Sequence, residues 1–346
     1  MKLNWIKVDG LFTRFNHMIE LKEDGLTIVH SPNGLGKSTL VKMVCLAFNG
    51  EWEELDAIPF RRLEFGFDEG MVLVFLKDEV MEVTLLDSGN IIPMTKDEVG
   101  DLHSVYYLGP QRLFIEESEG RYVSALDANS QRIAETYKEF ISMAETIWVG
   151  SEDDELGDAS FPDPHSKLHE VRARMTMARE AGLIPEMIDD SLVGELLDNE
   201  PTQWSEKQLK DLYRLSKVAD ALYPLAESAA ALLDIINPML FRKTLSLDSH
   251  EGFKVTLDEG KVIKVSKLSS GEKQLLLLLY AMMFEATPGG LVIIDEPEIS
   301  LHITWQQCIA SLFLSIGRAR NLQIIMATHS PQVVHDRWDL TVELVV

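Results

Sequence analysis

A glycine-rich segment at residues 30–39 has the composition of a phosphate-binding loop. It reads His-Ser-Pro-Asn-Gly-Leu-Gly-Lys-Ser-Thr and follows the apolar residues 26–29, which are typical of a buried strand. Backbone N–H groups of such a loop, with the positive end of the helix that follows, can surround a phosphate group. Ser31 stands where the phosphate-loop pattern has its first glycine, so a glycine-rich turn without a ligand stays open as the alternative.

Within this segment each residue type has an expected task. Lys37 would reach the β- and γ-phosphates, and the Ser38 hydroxyl would bind Mg²⁺. The two glycines would bring the backbone close to the phosphate oxygens. The residues expected to bind the nucleotide here are Asn33, Gly34, Gly36, Lys37, Ser38 and Thr39.

Two carboxylates follow the apolar run at residues 291–294. Asp295 and Glu296 stand at the carboxyl end of this predicted strand, where α/β proteins place their chemistry. Asp295 would hold Mg²⁺, and Glu296 would polarise the water that attacks the γ-phosphate. Alone, the pair could cap a helix instead, but together with the loop at residues 30–39 it indicates nucleotide hydrolysis.

Two further segments have both a structural and a chemical interpretation. Ser269, Gly271 and Glu272 precede a strongly apolar run, where serine, glycine and an early glutamate favour the start of a helix. His329 follows the apolar residues 322–326 and could either cap a helix or hydrogen-bond a γ-phosphate from the end of a strand.

The elements that must position these residues alternate between strand and helix. Short β-branched or aromatic runs in the first hundred residues predict strands, with one helix at 37–48. The apolar strand at 291–294 predicts a mostly parallel sheet covered on both faces. Long helices are predicted at 130–148, 169–180 and 205–236, joined by loops at 161–164 and 199–201, and strands return at 243–247, 253–256 and 262–265.

The composition excludes several classes of protein. Of the 346 residues, 46% are hydrophobic and 25% charged, which is typical of a folded chain rather than a disordered or fibrous one. No apolar run reaches the ~20 residues that a membrane-spanning helix needs. The first residues do not resemble a secretory signal, so we expect a cytoplasmic protein with no membrane partner. Cys45 and Cys308 lie in apolar, helix-like stretches and are expected to be buried, reduced thiols.

The negative charge is concentrated in one part of the chain. Against 32 Lys and Arg stand 56 Asp and Glu, a net charge of −24, and residues 151–200 alone contain 14 acidic and 4 basic residues, a net of −10. Contacts with nucleic-acid phosphates need a basic surface. The charge therefore favours a protein partner and leaves DNA as the less favoured one.

The order of the motifs resembles that of ABC-type ATPases. A phosphate loop, a long insertion, Leu-Ser-Ser-Gly-Glu, Asp-Glu after an apolar strand and a histidine after the next strand follow one another. Several segments are similar to the SMC/RecF/OLD branch rather than to transporter ATPases. They are Ser-Pro-Asn-Gly-Leu-Gly-Lys-Ser-Thr at 31–39, Leu-Ser-Ser-Gly-Glu at 268–272, Ile-Asp-Glu-Pro-Glu-Ile-Ser-Leu-His at 294–302, Ala-Thr-His-Ser-Pro at 327–331 and also Tyr-Leu-Gly-Pro-Gln-Arg-Leu at 107–113. The resemblance covers about residues 1–125 and 240–346.

The resemblance implies a mechanism in which two copies of the chain enclose ATP and Mg²⁺. Ser269 and Gly271 of one copy would contact the γ-phosphate held by the other, and residues 298–302 would lie along the interface. A homodimer or a higher homo-oligomer is therefore expected. The implied catalytic residues are Glu296, His329, which would contact the γ-phosphate, and Gln111, which would sense Mg²⁺ and the attacking water. The implied metal-binding residues are Ser38, Gln111 and Asp295.

The implied fold is an α/β ABC/SMC-type P-loop ATPase head, with a mixed sheet and an N-terminal antiparallel β lobe, interrupted by a helical insertion. We expect the first half of the head at 1–125, the acidic insertion at 126–240 and the second half at 241–346. OLD-type nucleases carry a C-terminal TOPRIM domain, and none is expected in the short stretch after Pro331.

The absence of that nuclease domain suggests a separate effector. The arrangement resembles the compact ATPase subunits of bacterial anti-phage systems such as PARIS, Septu and retron-associated modules. This implies an ATPase that acts as sensor or scaffold for a separately encoded effector, a nuclease or toxin. The alternative is a RecF-like ATPase of DNA repair or another DNA transaction.

Overall fold

The computed structural model describes residues 1–78, 80–118, 121–150, 163–185, 188 and 204–345. Their contacts divide the chain into two units, one formed by residues 1–112 with 280–346 and the other by residues 113–279. The loop predicted at 199–201, part of the loop predicted at 161–164 and most of the acidic segment lie outside the described residues. The division of the chain at residues 125 and 240 stays a prediction.

The first unit contains a six-stranded antiparallel sheet. Strand β2 alternates buried and exposed residues, as a strand with one face in a core does. The antiparallel β lobe expected at the N-terminus is thus confirmed. In the order β2-β1-β4-β5-β6-β7, the strands are β1 (Leu3–Leu11), β2 (Phe15–Glu20), β4 (Arg62–Phe67), β5 (Val72–Lys77), β6 (Met81–Asp87) and β7 (Asn90–Pro93).

A second sheet of the same unit has five strands, all parallel. All residues of β14 are buried, as its apolar run predicted. The parallel and antiparallel strands belong to two separate sheets rather than to one mixed sheet, because the backbone hydrogen bonds between strands join only strands of the same set. In the order β16-β3-β15-β14-β8, the strands are β3 (Leu26–His30), β8 (Val105–Leu108), β14 (Leu291–Asp295), β15 (Gln323–Thr328) and β16 (Thr341–Glu343).

Helix α1 (Lys37–Phe48) packs on both sheets. Its residues Leu40 and Phe48 belong to a buried apolar cluster that also contains Phe65 of β4 and Ile293 of β14. Because β3, β8, β14 and β15 are parallel, the loops that follow them leave the sheet at the same edge. The other α-helices of the unit are α2 (Trp52–Ala57), α3 (Lys96–Leu102), α8 (Ile303–Ala319) and α9 (Pro331–Val334), and a short π-helix spans Ala281–Glu285. Cys45 of α1 is buried as expected, whereas Cys308 of α8 is exposed, so the prediction that it is buried was wrong.

The second unit combines long helices with short antiparallel strands. Its helices are α4 (Ala125–Gly150), α5 (Pro164–Glu180) and α6 (Glu206–Ile236), followed by α7 (Ser270–Tyr280), whose last residue belongs to the first unit. The helical insertion is thereby confirmed. Its strands are β9 (Phe114–Ser118), β10 (Arg121–Ser124), β11 (Lys243–Asp248), β12 (Gly252–Leu257) and β13 (Val262–Ile263). Of all the helices in the described ranges, none has the length and apolar character to span a membrane.

Candidate phosphate-binding and catalytic site

The loop between β3 and α1 has the backbone that a phosphate-binding loop requires. Gly34 and Gly36 have φ values of 88° and 81°, in the left-handed region that favours glycine. A Cβ atom at Gly36 would lie 2.8 Å from Leu11 Cδ2, so this residue is also too closely packed for a side chain. The His17 ring of β2 donates through Nε2 to the Leu35 carbonyl over 2.8 Å, and this hydrogen bond holds the loop against the antiparallel sheet.

The N-terminus of α1 is open to a ligand. Gly36 is its N-cap residue, no side chain in the described part of the chain caps the helix, and its first turn holds no acidic residue. The first N–H groups of a helix have no partner within the helix, and they carry its positive partial charge. Asn33, Gly34 and Ser38 are exposed here, and Gly36 and Thr39 are partly exposed.

Lys37 lies inside the site and contacts His329. The lysine is only 3% exposed, and its ammonium group hydrogen-bonds His329 Nε2. The other ring nitrogen, Nδ1, lies 3.0 Å from the Ser31 carbonyl oxygen, an arrangement in which Nδ1 is the donor. Nε2 of the neutral ring is then the acceptor for Lys37. Burial lowers the pKa of Lys37, while the nearby carboxylates of Asp295 and Glu296 oppose that change.

Asp295 is a buried carboxylate with an unsatisfied hydrogen-bonding capacity. It is 1% exposed, and neither of its oxygens has a hydrogen bond of normal geometry to any residue that the structure describes. Burial raises the pKa of Asp295, the Ser38 hydroxyl lowers it, and Glu296 raises it further. No group of three or more His, Cys, Asp or Glu side chains in the described ranges is arranged to hold a metal. Oxygen ligands from an unpaired carboxylate and a serine hydroxyl nevertheless fit a Mg²⁺ ion that takes its other ligands from phosphate and water.

The turn after β14 carries Glu296 in an unusual conformation. Glu296 has a φ of 50°, which is uncommon for a residue with a side chain. Its N–H donates to the Ala327 carbonyl of β15 over 2.8 Å. The carboxylate of Glu298 accepts hydrogen bonds from the Thr328 hydroxyl (2.7 Å) and the His329 N–H (3.1 Å). The turns after β14 and β15 are therefore joined, and Glu298, expected along an interface, bonds within its own chain.

The sequence assigns no role to Arg112, but in the structure its guanidinium contacts the backbone of Asp295 and Glu296. The side chain is 9% exposed, and burial lowers the pKa of its guanidinium to about 10. Gln111 lies exposed in the same turn, one residue before it. The guanidinium donates to the carbonyl oxygens of Gly109, Asp295, Glu296 and Pro297.

The remaining two predicted residues, Ser269 and Gly271, lie in the second unit at the start of α7. Ser269 and Glu272 form reciprocal hydrogen bonds, from the Ser269 N–H to the carboxylate (2.8 Å) and from the Glu272 N–H to the hydroxyl (3.3 Å). Lys243 donates to both carboxylate oxygens. Burial acts to raise the pKa of Glu272, but Lys243 and Ser269 outweigh it and lower the pKa. The helix-cap interpretation is thus observed, and the contact with nucleotide stays a prediction.

The chain is similar to known proteins over part of its length. Residues 183–335 match the family described as "AAA domain, putative AbiEii toxin, Type IV TA system". The Retron Vc95 probable ATPase of Vibrio cholerae is 28% identical over 155 residues, which cover 42% of this chain and 28% of that protein. The Retron Ec83 probable ATPase of Escherichia coli is 37% identical over 84 residues, covering 21% and 15%. The molybdate import ATP-binding protein MolC of Haemophilus influenzae is 30% identical over 69 residues, covering 20% and 26%.

The matched stretches therefore span less than a third of each of these relatives. Among solved structures, an SMC head bound to the C-winged helix domain of ScpA aligns over 96% of this chain and 91% of that one, with a TM-score of 0.49 and 14% identity. The SMC head domain from Thermotoga maritima aligns over the same shares, with a TM-score of 0.43 and 13% identity.

Proposed function

We propose that this chain, an ABC/SMC-type ATPase related to the retron ATPases, binds ATP with Mg²⁺ and hydrolyses it. The observation that carries the proposal is the meeting of a phosphate loop, an unpaired buried carboxylate and a second carboxylate at one edge of the parallel sheet. Asp295 ends β14, Glu296 follows it directly, and residues 31–36 follow β3; strand β15 lies between β14 and β3. A glycine-rich turn or a pair of carboxylates could each have a purely structural role. Their position at the same edge of the sheet supports a role in binding and hydrolysing a nucleotide.

In the proposed site the loop binds the phosphates through its backbone. The N–H groups at the start of α1 would surround the β-phosphate, and Lys37 would exchange His329 for a phosphate oxygen. This exchange has a consequence for His329. With Nδ1–H on the Ser31 carbonyl, Nε2 of the neutral ring can only accept, so a hydrogen bond from Nε2 to a phosphate requires that the ring be protonated at both nitrogens.

Two carboxylates would divide the remaining work. Ser38 and Asp295 would hold Mg²⁺, which supplies charge neutralisation for the phosphate oxygens when bound. Glu296 would accept a hydrogen bond from the attacking water and orient it toward the γ-phosphate. Gln111 would contact that water or the metal from the turn after β8.

A second copy of the chain would complete the site. Charge on a phosphoryl group in transfer must be neutralised from several sides, and the start of α7 offers N–H groups with Ser269 and Gly271. We therefore propose a homodimer, or a higher homo-oligomer, with ATP between the heads. The Ser269 hydroxyl would bond the γ-phosphate of the other copy at the expense of its contact with Glu272.

We further propose that the ATPase controls a separate effector protein, a nuclease or toxin, in antiviral defence in the cytoplasm. The relatives named as retron ATPases and the charge of −24 support this assignment. A RecF-like DNA-dependent ATPase is the second candidate, and the resemblance of the motifs to that branch supports it. The ATPase rate with and without duplex or single-stranded DNA separates the two, since strong stimulation at moderate salt favours the second candidate.

Hydrolysis is tested with Glu296→Gln. We expect the full chain to release phosphate from ATP with Mg²⁺ but not with EDTA. The Glu296→Gln variant should bind ATP, fail to hydrolyse it and accumulate as an ATP-bound dimer in light scattering. Glu20→Gln, which alters an exposed glutamate of β2, serves as the matched control. Wild-type hydrolysis by Glu296→Gln would show that this residue does not polarise the water.

A further inference from the structure

The guanidinium group of Arg112 holds two turns of the chain together. Nη1 lies 3.0 Å from the Gly109 carbonyl oxygen and 3.1 Å from that of Asp295. Nη2 lies 3.1 Å from the carbonyl oxygen of Glu296 and 3.4 Å from that of Pro297. Gly109 belongs to the turn after β8, Asp295 is the last residue of β14, and Glu296 and Pro297 belong to the turn that follows β14.

The sheet explains why one side chain can reach both turns. Strands β8 and β14 are parallel neighbours, with Leu108 opposite Ile294 at their carboxyl ends. The two turns therefore start at the same level and next to each other. A planar guanidinium presents several N–H donors in a fixed fork, which an ammonium group on a flexible chain does not.

Glu296 is held through its backbone on both sides. Its N–H donates to the Ala327 carbonyl, and its own carbonyl accepts from Arg112. Between these two contacts the residue has a φ of 50°, a conformation that is unfavourable for a residue with a Cβ atom unless its surroundings impose it. This backbone conformation decides where the carboxylate points.

We propose that Arg112 is a positioning residue that holds Glu296 in the left-handed conformation and so directs its carboxylate for hydrolysis. Arg112 acts through the peptide groups of the turn and not through the nucleotide. The catalytic consequence rests on the proposed ATPase function, whereas the hold on the turn does not depend on it.

The charge of Arg112 must be separated from its geometry in any test. Burial lowers the pKa of the guanidinium to about 10, opposed by Glu298, Asp295 and Glu296, so the side chain is charged at neutral pH. An Arg112→Met variant loses the charge and the hydrogen bonds together. Arg112→Lys keeps the charge and loses the fork, and therefore isolates the contribution of geometry.

The experiment compares Arg112→Lys and Arg112→Met with the wild-type chain and with Arg320→Met. Arg320 also donates to a carbonyl, that of Ala286. It lies between α8 and the start of β15, at the edge of the parallel sheet opposite to the turn after β14. Hydrogen–deuterium exchange of the peptide that covers residues 295–299 reports on the turn, where the Glu296 N–H is hydrogen-bonded. The kcat for ATP, the Kd for ATP and the thermal unfolding midpoint are measured on the same samples.

Both Arg112 variants should exchange faster at residues 295–299, and Arg320→Met should not. The kcat should fall by about ten- to a hundredfold, because small misplacements of a catalytic group have effects of that size, while the Kd for ATP changes by less than about threefold. The lysine variant should recover part of the kcat. Unchanged exchange at 295–299 in both variants would overturn the inference. A fall in kcat accompanied by a rise in the Kd for ATP of the same factor would also overturn it. A wild-type chain without Glu296-dependent hydrolysis would refute the proposed function instead, and the exchange data would still decide whether Arg112 holds the turn.

Discussion

Replacing Asp295 by asparagine should stabilise the nucleotide-free protein while disabling it. The carboxylate is 1% exposed and has no hydrogen bond of normal geometry to a described residue. Burial raises its pKa, and the nearby Ser38 hydroxyl and Lys37 ammonium only partly oppose that change. Leaving a buried polar group unsatisfied costs about 1–3 kcal/mol, and an unpaired charge costs more. Asparagine has almost the same shape and keeps a buried polar group, so the expected gain is the extra cost of burying a charge rather than a neutral group. We therefore expect Asp295→Asn to raise the free energy of unfolding by about 1–3 kcal/mol without nucleotide, a rise of about 2–12 °C in Tm for a unit of this size.

The effect of Asp295→Asn on Tm should change from a rise to a fall when Mg²⁺ and ATP are added. A ligand at about a thousand times its Kd stabilises the folded state by about 4.1 kcal/mol, which exceeds the whole expected advantage of the variant; the wild type should gain this stabilisation, whereas Asp295→Asn should gain little of it. Scanning calorimetry in EDTA and in Mg-ATP measures both effects. The control is Asp101→Asn, an exposed position of α3, which should leave both Tm values unchanged.

The pH dependence provides a second measurement of the same cause. The pKa of Asp295 is raised in the folded state, so the folded protein binds this proton more readily than the unfolded chain. The destabilisation is complete above the folded pKa, and it disappears as pH falls through that value to the ordinary carboxyl value of 3.8. The advantage of Asp295→Asn over wild type should therefore be full at neutral pH and shrink on acidification. A lower Tm for Asp295→Asn at neutral pH in EDTA would refute the reasoning, because it would mean that the carboxylate is well paired.

Two further predictions address the loop and the second unit. Gly36→Ala and Gly34→Ala both place a side chain at a left-handed φ, at a cost of about 1–2 kcal/mol, but only Gly36→Ala also meets Leu11. Calorimetry should therefore show the lower Tm for Gly36→Ala, and equal Tm values would contradict this. Lys243→Met leaves the buried carboxylate of Glu272 without its cation and should lower the free energy of unfolding by about 1–3 kcal/mol, as measured by urea unfolding. Because the pKa of Glu272 is lowered, the wild type should lose this advantage as pH falls through that pKa, and a difference that persists at low pH would argue against the ion pair as its source.

Local patterns predicted the strand, loop and helix at residues 26–48 well. A strand, a loop with two glycines and a helix follow one another within 23 residues, from Leu26 to Phe48, so short-range preferences were enough to predict them. The buried strand β14 was equally legible, because a strand covered on both faces has apolar residues throughout. These two segments contain most of the residues assigned to the site.

The contacts of Arg112 and Glu298 could not be predicted in the same way. Arg112 bonds peptide carbonyls 183 residues away in sequence, and every residue type has such a carbonyl. No pattern of side chains therefore identifies its partners. Glu298 accepts from Thr328 and from the backbone of His329, and only the register of β14 beside β15 brings these groups together.

The strand order of the parallel sheet also determines when this sheet can form during synthesis of the chain. Strand β3, which leads into the phosphate loop, lies between β15 and β16, both of which come from the last quarter of the sequence. At synthesis rates of about 5–20 residues per second, roughly 15–60 s pass between the synthesis of β3 and that of β15, its first neighbour to be made. The antiparallel sheet, whose strands all lie within the first 93 residues, can form during that interval. The loop between β3 and α1 therefore acquires both neighbouring strands of its sheet only after residues 323–343 have been made.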